Sequence, residues 1–371
     1  MNKNRKKITH ITRFAYPHIG GVEAVINQIN ESLPDDEFEK EIFCCSNSVK
    51  SSVENGVKYN RCRYLFYYAA NLISPQLLFR MIGLKTDIIH FHMPVIQNVI
   101  IWFILYHLGL IKYKKMVISY HGSIIGYDSY MRPFWTLYKY FLSKADIIHV
   151  LAPTSIDNDD ILLKNKEKCI IIPFGIDLNP DFDENTYNKI KQENRRVVLS
   201  VGRLVELKGF NYIMEAVKDL DNIRLYIMGD GSLRKEYETY IKSNNLQDKI
   251  VILGEIRDER IKNAYYKACD VLVVASIRTE SFGITQLEAM RYSKPVINTN
   301  LGTGMNYVSI NEETGLTVEP ANTEELKNAI NRLLENDELR NIYGQNARKR
   351  AENLFNIETI RKRYKELYCD K

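Results

Sequence analysis

Short apolar runs alternate along the first half of the chain with longer stretches whose apolar residues recur every three or four positions. The runs are ITHITRF (8–14), EIFCCS (41–46), TDIIHFH (86–92), VISYHG (117–122) and ADIIHVLAP (145–153). Their length and β-branched content predict strands, and VEAVINQINESL (22–33) has the spacing of an amphipathic helix. TDIIHFH and ADIIHVLAP resemble each other and predict parallel buried strands, with VISYHG between them. A polar stretch, LNPDFDENTYNKIKQENRR (178–196), follows PFGID (173–177) and reads as a linker.

After it the pattern restarts. RVVLSVG (196–202), IRLYIMG (223–229), KIVILGE (249–255), DVLVVAS (270–276) and KPVINT (294–299) predict strands. Helices are expected near 209–219, 231–244, 258–268, 282–292 and 323–335, with LFNIETIRKRYKELY (354–368) as a final amphipathic helix. Strands alternating with helices imply βαβ units and parallel sheets, here two doubly wound α/β domains in series. Domains are expected at 1–185 and 186–354, with a helix at 355–371 packing back on the first. Ligands of such sheets sit beyond the carboxyl ends of the strands, so two facing sheets would share one cleft.

Composition narrows the reading. Hydrophobic residues make up 45% and charged residues 26% of 371, the balance of a soluble globular protein, and a formal charge of +5 does not argue for nucleic acid. Its distribution is uneven. From Ile42 to Ala145 there are twelve Lys/Arg against three Asp/Glu, amid many aromatics. Such a face suits an anionic membrane surface or a phosphorylated lipid; a solvated face over core aromatics is the other reading. IIHFHMPVIQNVIIWFILYHLGLI (88–111) is long and apolar enough to resemble a membrane span, but it contains His90, His92, Pro94, Gln97, Asn98 and His107. Pro94 divides it, predicting a short strand and a buried or interfacial helix. Six cysteines show no CxxC or metal-ligand spacing, and the basic N-terminus lacks an apolar run of signal-peptide type. Both predict free thiols in a reducing cytosol.

The residues fit for chemistry lie where strands end. VGRLVELKG puts Arg203 and Lys208 past the first strand of the second domain, a planar fork and a point charge suited to phosphate, though both could be plain surface cations. MGDGS (228–232) joins strand to helix through Gly229, and IGGVE (19–23) places Gly20 and Gly21 between the first strand and first helix. Neither has the full spacing of a dinucleotide fingerprint. ASIRTESFGITQLEAM (275–290) sets Ser281, Phe282 and Gly283 at a helix start, where free N–H groups and the dipole suit phosphate. Glu280 precedes that helix and Glu288 falls about 80° round it, so both could accept bonds from hydroxyls. Alternatively Glu280 is a charge favoured by the dipole and Glu288 an exposed helix acid. His121 in SYHGS follows a strand and precedes a glycine, the position of a ligand-facing histidine. His90 and His92 share one strand face, but no third metal ligand is apparent beside them. His10, His18, His107 and His149 read as structural, His18 least securely because it adjoins the glycine loop.

GRLVELKG, TESFGITQLEAM and TGLTVEP together resemble family 4 of the retaining glycosyltransferases, and the likeness runs from IGGVE to the last helix. The resemblance implies the GT-B fold, two Rossmann-like domains facing across a cleft, with the acceptor on the first and a nucleotide-sugar donor on the second. It implies that Arg203 and Lys208 bind the donor diphosphate, that Glu288 holds the ribose and that Glu280 contacts the transferred sugar. Ser281, Phe282, Gly283 and Thr285 would approach phosphates and sugar. Gly20 and Gly21 would close over the donor, and His121 would meet the sugar at the reaction centre. The sequence departs from the family where PFGID has Phe174 in place of Asn, and where LGTGMNYVS (301–309) lacks the glutamate of a GG-x-x-E loop.

The activity so implied is hexose transfer from GDP-mannose or a UDP-hexose to a polyprenyl-diphosphate-linked saccharide, as in bacterial O-antigen or capsule assembly. His121, Glu280, Arg203 and Lys208 would serve catalysis, with no metal or cofactor, at the cytosolic face of the membrane. Two basic, apolar stretches expected to be helical, RCRYLFYYAANLISPQLLFRMIGLK (61–85) and YMRPFWTLYKYFLSKAD (130–146), would meet that face. An epimerase of the same fold and a non-catalytic nucleotide-sugar-binding subunit are the competing readings.

Overall fold

A computed structural model describes residues 5–18, 20–68, 71–122, 132–278 and 280–369. Two compact units divide the chain. Unit 1 is Met1–Phe174 together with Glu358–Lys371, and unit 2 is Gly175–Ile357.

Unit 1 carries β1 (Lys6–Ile11), β2 (Phe38–Cys45), β3 (Ser52–Glu54), β4 (Val57–Cys62), a separate antiparallel hairpin of β5 (Phe66–Tyr68) and β6 (Asn71–Ile73), then β7 (Ile88–Met93), β8 (Lys115–Tyr120), β9 (Ile147–Val150) and β10 (Cys169–Ile171). The sheet order is β10-β9-β8-β7-β1-β2-β4-β3, parallel throughout except for β3 against β4. The chain builds outward from β1 to β4, returns, and builds the other way from β7, so the order reverses between β1 and β7. β7 is buried along its whole length, as befits a central parallel strand, although His90 and His92 interrupt its apolar residues.

One face of this sheet is polar and buried. Side chains two apart share a face, so His90 and His92 lie together, and the register sets His10 opposite His90, Ser119 opposite His92 and His149 opposite Ser119. The helix Ile357–Cys369 lies over this stripe, with Tyr364 and Tyr368 fully buried against it. Its last carbonyls accept from two lysines, Lys6 to Tyr368 at 2.9 Å and Lys115 to Leu367 at 3.0 Å, which also oppose the helix dipole.

Unit 2 carries β11 (Arg196–Val201), β12 (Ile223–Met228), β13 (Ile250–Gly254), β14 (Val271–Val274), β15 (Val296–Thr299) and β16 (Gly315–Val318) in one parallel sheet, ordered β13-β12-β11-β14-β15-β16. Counted within the unit this is 3-2-1-4-5-6, the doubly wound order, with its switch point between β11 and β14. The helix Thr323–Glu335 shows how the flanking layer forms. Asn322 caps it by accepting from Glu325 N–H, acids fill its first turn, and Leu326, Ala329, Ile330, Leu333 and Leu334 make the buried stripe. That stripe shares a core with Ile213, Met214 and Val217 of the helix Phe210–Lys218. Each Leu or Ile so buried contributes about 1.5–3 kcal/mol.

The expected strands are all present, and Pro94 does divide 88–111, into β7 and a helix at Ile96–His107. Among the described residues no helix is long and apolar enough to cross a membrane. Three expectations are corrected. The linker contains a helix, Glu184–Gln192, because Asp183 caps it and Ile190 finds a buried place, 3% exposed. The stretch 61–85 is not one helix. Arg61 and Cys62 end β4, the aromatic run that follows forms the β5–β6 hairpin, and only Pro75–Met81 is helical, opened by Ser74 and a proline at its first position. The helix expected from 282 begins at Ile284. Gly283 precedes it with φ of 75°, a left-handed turn that delays the first helical residue.

Candidate functional site

The switch point of unit 2 gathers the loops after β11 and β14. Gly202 and Arg203 follow β11, and Lys208 ends a short 3-10 turn at Glu206–Lys208. The strand ends can close only because Gly229, after β12, has no side chain. Its φ is 139°, and a Cβ there would stand 1.9 Å from the Gly202 carbonyl oxygen. Gly229 therefore has a structural reason to be glycine, whatever ligand comes near it.

Lys208 forms an ion pair with Glu280, and the carboxylate also accepts from Ser276 Oγ at 3.2 Å. The Glu280 carbonyl accepts from Thr303 Oγ at 2.6 Å. Thr303 lies in the 301–309 loop and caps the helix Gly304–Val308. Glu280 is thus held from three sides, while Arg203 is exposed and has no side-chain partner among the described residues. Ser281 and Thr285 are half-buried, and Gly283 is buried. Phe282 is buried too, its ring edge-on to Phe355 at 6.0 Å, so its side chain belongs to the core.

Glu288 bonds to none of these. Lys262 donates to it at 2.8 Å and the Tyr266 hydroxyl donates to its other oxygen. Lys262 and Tyr266 stand four apart on the helix Glu259–Ala268, hence on one face. Burial lowers the Lys262 ammonium pKa, but the carboxylates of Glu288 and Glu259 outweigh burial and raise it. Burial and the Glu288 charge push the Tyr266 hydroxyl well above its ordinary range, so it stays a proton donor. Glu288 is in this way a charged acceptor held by two donors, and its unused lone pairs can accept from ligand hydroxyls.

Gly20, Gly21 and His121 belong to unit 1. Gly20 precedes the helix Gly21–Glu31, and the buried Glu23 carboxylate lies against it, paired with His18 at 3.3 Å. His121 follows β8, 9% exposed, with its Nε2 2.9 Å from His92 Nδ1. Burial is the main reason its pKa falls to about 3, with His149 adding to the effect, so the ring is neutral.

The third ligand position judged absent beside His90 and His92 is occupied by His10. Ring nitrogens of the three lie within 4.8 Å of one another, and all three residues are buried. Hydrogen bonds already use both nitrogens of His90, to Ser119 and Tyr368, and both of His92, to His10 and His121. A metal ion held there would have to displace several of these bonds. The residues that sequence reasoning missed are Lys262, Tyr266, Ser276, Thr303, His92 and His10. The local signals were the four-residue spacing of Lys262 and Tyr266 and the alternation of His90 and His92 on one strand.

Comparison with known proteins gives two matches to family profiles, "Glycosyltransferase Family 4" over residues 19–180 and "Glycosyl transferases group 1" over 181–350. The O-antigen chain mannosyltransferase C of Escherichia coli is 26% identical over 381 residues, covering 98% of each chain. A Campylobacter jejuni enzyme, N-acetylgalactosamine-N,N'-diacetylbacillosaminyl-diphospho-undecaprenol 4-alpha-N-acetylgalactosaminyltransferase, is 30% identical over 232 residues, 60% of each chain. Among solved structures, Anabaena HepE in complex with UDP superposes with a TM-score of 0.76 at 18% identity, covering 98% of this chain and 99% of that one.

Proposed function

The chain belongs to the family 4, group 1 glycosyltransferases of the GT-B fold and is a hexosyltransferase, and on that premise we propose that it moves a hexose from a nucleoside-diphosphate sugar to a polyprenyl-diphosphate-linked saccharide in bacterial O-antigen or capsule assembly. The observation that carries this reading is the pairing of acids with fixed donors around the unit 2 switch point: Glu280 with Lys208, and Glu288 with Lys262 and Tyr266. A nucleotide sugar offers the complementary groups, a diphosphate for Arg203 and Lys208 and hydroxyls for the two carboxylates. GDP-mannose is the first donor to test, because the E. coli relative is a mannosyltransferase by name, and UDP-hexoses come next, because HepE was solved with UDP. The diphospho-undecaprenol in the name of the C. jejuni relative supports a lipid-linked acceptor.

Transfer expels a nucleoside diphosphate, so the barrier falls with every fixed positive group at that leaving oxygen. Arg203 and Lys208 supply this stabilisation, and the reading requires no divalent cation. Glu280 is not a covalent nucleophile here. Its carboxylate is tied to Lys208, and hydrolase-type retention would need a second carboxylic acid about 5–5.5 Å away. Configuration is retained by front-face attack, in which the donor phosphate helps to remove the acceptor proton. The same reading gives His121, Gly20 and Gly21 of unit 1 a contact with the donor sugar, which substitution of each would test.

Unit 1 also supports a peripheral membrane encounter. Leu65, Phe66, Phe79, Ile82, Leu108 and Leu110 are exposed. Backbone bonds from Gly83 to Leu110 and from Lys112 to Leu84 set the 82–85 and 108–112 segments side by side, with Lys85 and Lys112 exposed between them. Apolar side chains flanked by cations suit an anionic bilayer surface. The transfer reading is tested by a thermal-shift panel of nucleotide sugars, followed by incubation of the stabilising donor with a polyprenyl-diphosphate saccharide. A donor whose sugar is epimerised without any acceptor would overturn transferase chemistry in favour of an epimerase.

A further inference from the structure

Two hydrogen-bonded chains of imidazoles run through the buried layer beneath the helix Ile357–Cys369, and their geometry limits which nitrogens can carry protons. The first is anchored at a carbonyl. His149 Nε2 lies 2.8 Å from the Ile172 oxygen, which can only accept, so Nε2 carries the hydrogen. His149 Nδ1 then accepts from Ser119 Oγ at 2.7 Å, Ser119 accepts from His90 Nε2 at 2.8 Å, and His90 Nδ1 accepts from the Tyr368 hydroxyl. Every proton in that chain is placed by the one before it.

The second chain leads to His121. His10 Nδ1 is 3.0 Å from His92 Nε2, His92 Nδ1 is 2.9 Å from His121 Nε2, and His10 Nε2 is buried with no partner among the described residues. Burial keeps all three rings neutral. Three neutral rings in series allow two arrangements. If each donates inward, His10 ends with a buried, unpaired N–H. If each donates outward, His10 ends with an unpaired lone pair. Among backbone groups, orphaned buried N–H is rarer than an under-satisfied acceptor, and the same preference applied to the ring favours the outward arrangement. In it His121 accepts at Nε2 and carries its hydrogen on Nδ1, the nitrogen that has no partner among the described residues.

We propose that His92, backed by His10, is a positioning residue that holds His121 in the Nδ1–H tautomer, presenting a neutral N–H donor beyond β8 to an oxygen of the nucleotide sugar. This rests on the reading of His121 as donor-facing and sharpens it. With Nε2 committed to His92 and Nδ1 protonated, His121 has no lone pair for the acceptor hydroxyl. It orients the donor and is not the general base.

The test is nitrogen-15 NMR of the full chain labelled at histidine, in which protonated and unprotonated ring nitrogens resonate far apart. The expected result is a protonated Nδ1 and an unprotonated Nε2 at His121. His92→Phe removes the outward donor, so His121 should relax to a tautomer mixture while kcat falls about tenfold, the scale of a lost orienting partner. His92→Asn keeps an N–H where Nδ1 stood and should recover both the tautomer and most of kcat. If the phenylalanine variant does not fold, the wild-type spectrum alone still decides. A protonated Nε2 at His121 would overturn the proposal. So would a stoichiometric metal ion in the purified protein, or added Zn²⁺ that shifts the His10, His90 and His92 nitrogens together, since either assigns the trio to metal binding. A spectrum as expected alongside full activity in His121→Ala would leave the tautomer standing and remove His121 from the transfer reaction.

Discussion

Glu288 illustrates how a single side chain gains its properties from others. On its own helix it is one acid among apolar neighbours, but Lys262 and Tyr266 fix both of its oxygens. Lys262→Ala should therefore weaken donor use without touching the diphosphate, raising KM for the nucleotide sugar about tenfold, since the orienting partner of a binding group is lost. Steady-state kinetics against donor concentration will show it; a change confined to kcat would contradict the assignment. Lys208→Ala and Glu288→Ala should each lower kcat/KM by about 100- to 1,000-fold, the usual scale for losing one fixed group at a transition state. If both variants keep normal activity, the donor site has been misplaced. Gly229 makes a different kind of residue-scale statement. Gly229→Ala puts a methyl group 1.9 Å from the Gly202 oxygen at a φ of 139°, so unit 2 should lose about 2–4 kcal/mol on chemical denaturation.

At the scale of elements, the unit 1 sheet and the helix Ile357–Cys369 bury a polar stripe instead of an apolar one. Burial is the leading cause that takes His10 and His121 to about 3 and His149 to about 4, and it holds His90 and His92 well below the ordinary imidazole value. The unfolded chain protonates these rings near pH 6.5 while the folded chain does not. The folded pKa values are depressed, so the unfolded state binds more protons below that point, and stability falls as the pH drops from about 6.5 towards 4. Each histidine contributes up to about 1.4 kcal/mol per pH unit across that window. The melting temperature should be level above pH 7 and drop steeply below 6; an unchanged value from pH 7 to 5 would contradict buried, neutral rings. This stripe was half legible in the sequence. His90 and His92 alternate on a predicted strand, but the ring that meets them lies 82 residues away and the hydroxyl that caps them 278 away. Only the strand register and the final helix bring them together.

For the whole molecule, the basic excess between Ile42 and Ala145 gains meaning from the exposed apolar side chains of the same unit. Flotation with anionic liposomes should carry part of the protein upward at low salt, and added salt should release it, because the attraction between cations and lipid headgroups is screened within about 10 Å at 0.1 M. A chain that stays wholly in the soluble fraction at low salt would remove the membrane from this account. Phe79→Asp, set in the exposed apolar group, should reduce flotation while leaving transfer to a water-soluble acceptor analogue intact.

The sequence by itself determined ten of the sixteen strands among the described residues, the doubly wound alternation and the family, because hydrophobic period, glycine turns and short motifs are properties of neighbouring residues. It placed Arg203, Lys208 and Glu280 in loops after strands, and Glu288 on the helix that follows, for the same reason. Tertiary structure alone decided the partners. Lys208 meets Glu280 across 72 residues and Lys262 meets Glu288 across 26, and both meetings depend on which strands and helices become neighbours. It also broke the expected helix at 61–85, formed one in the linker and moved the start of another to Ile284, where capping and burial outweighed the local pattern. A side chain's type is written locally, but its protonation, its partners and the direction of its hydrogen bonds depend on what folding packs against it.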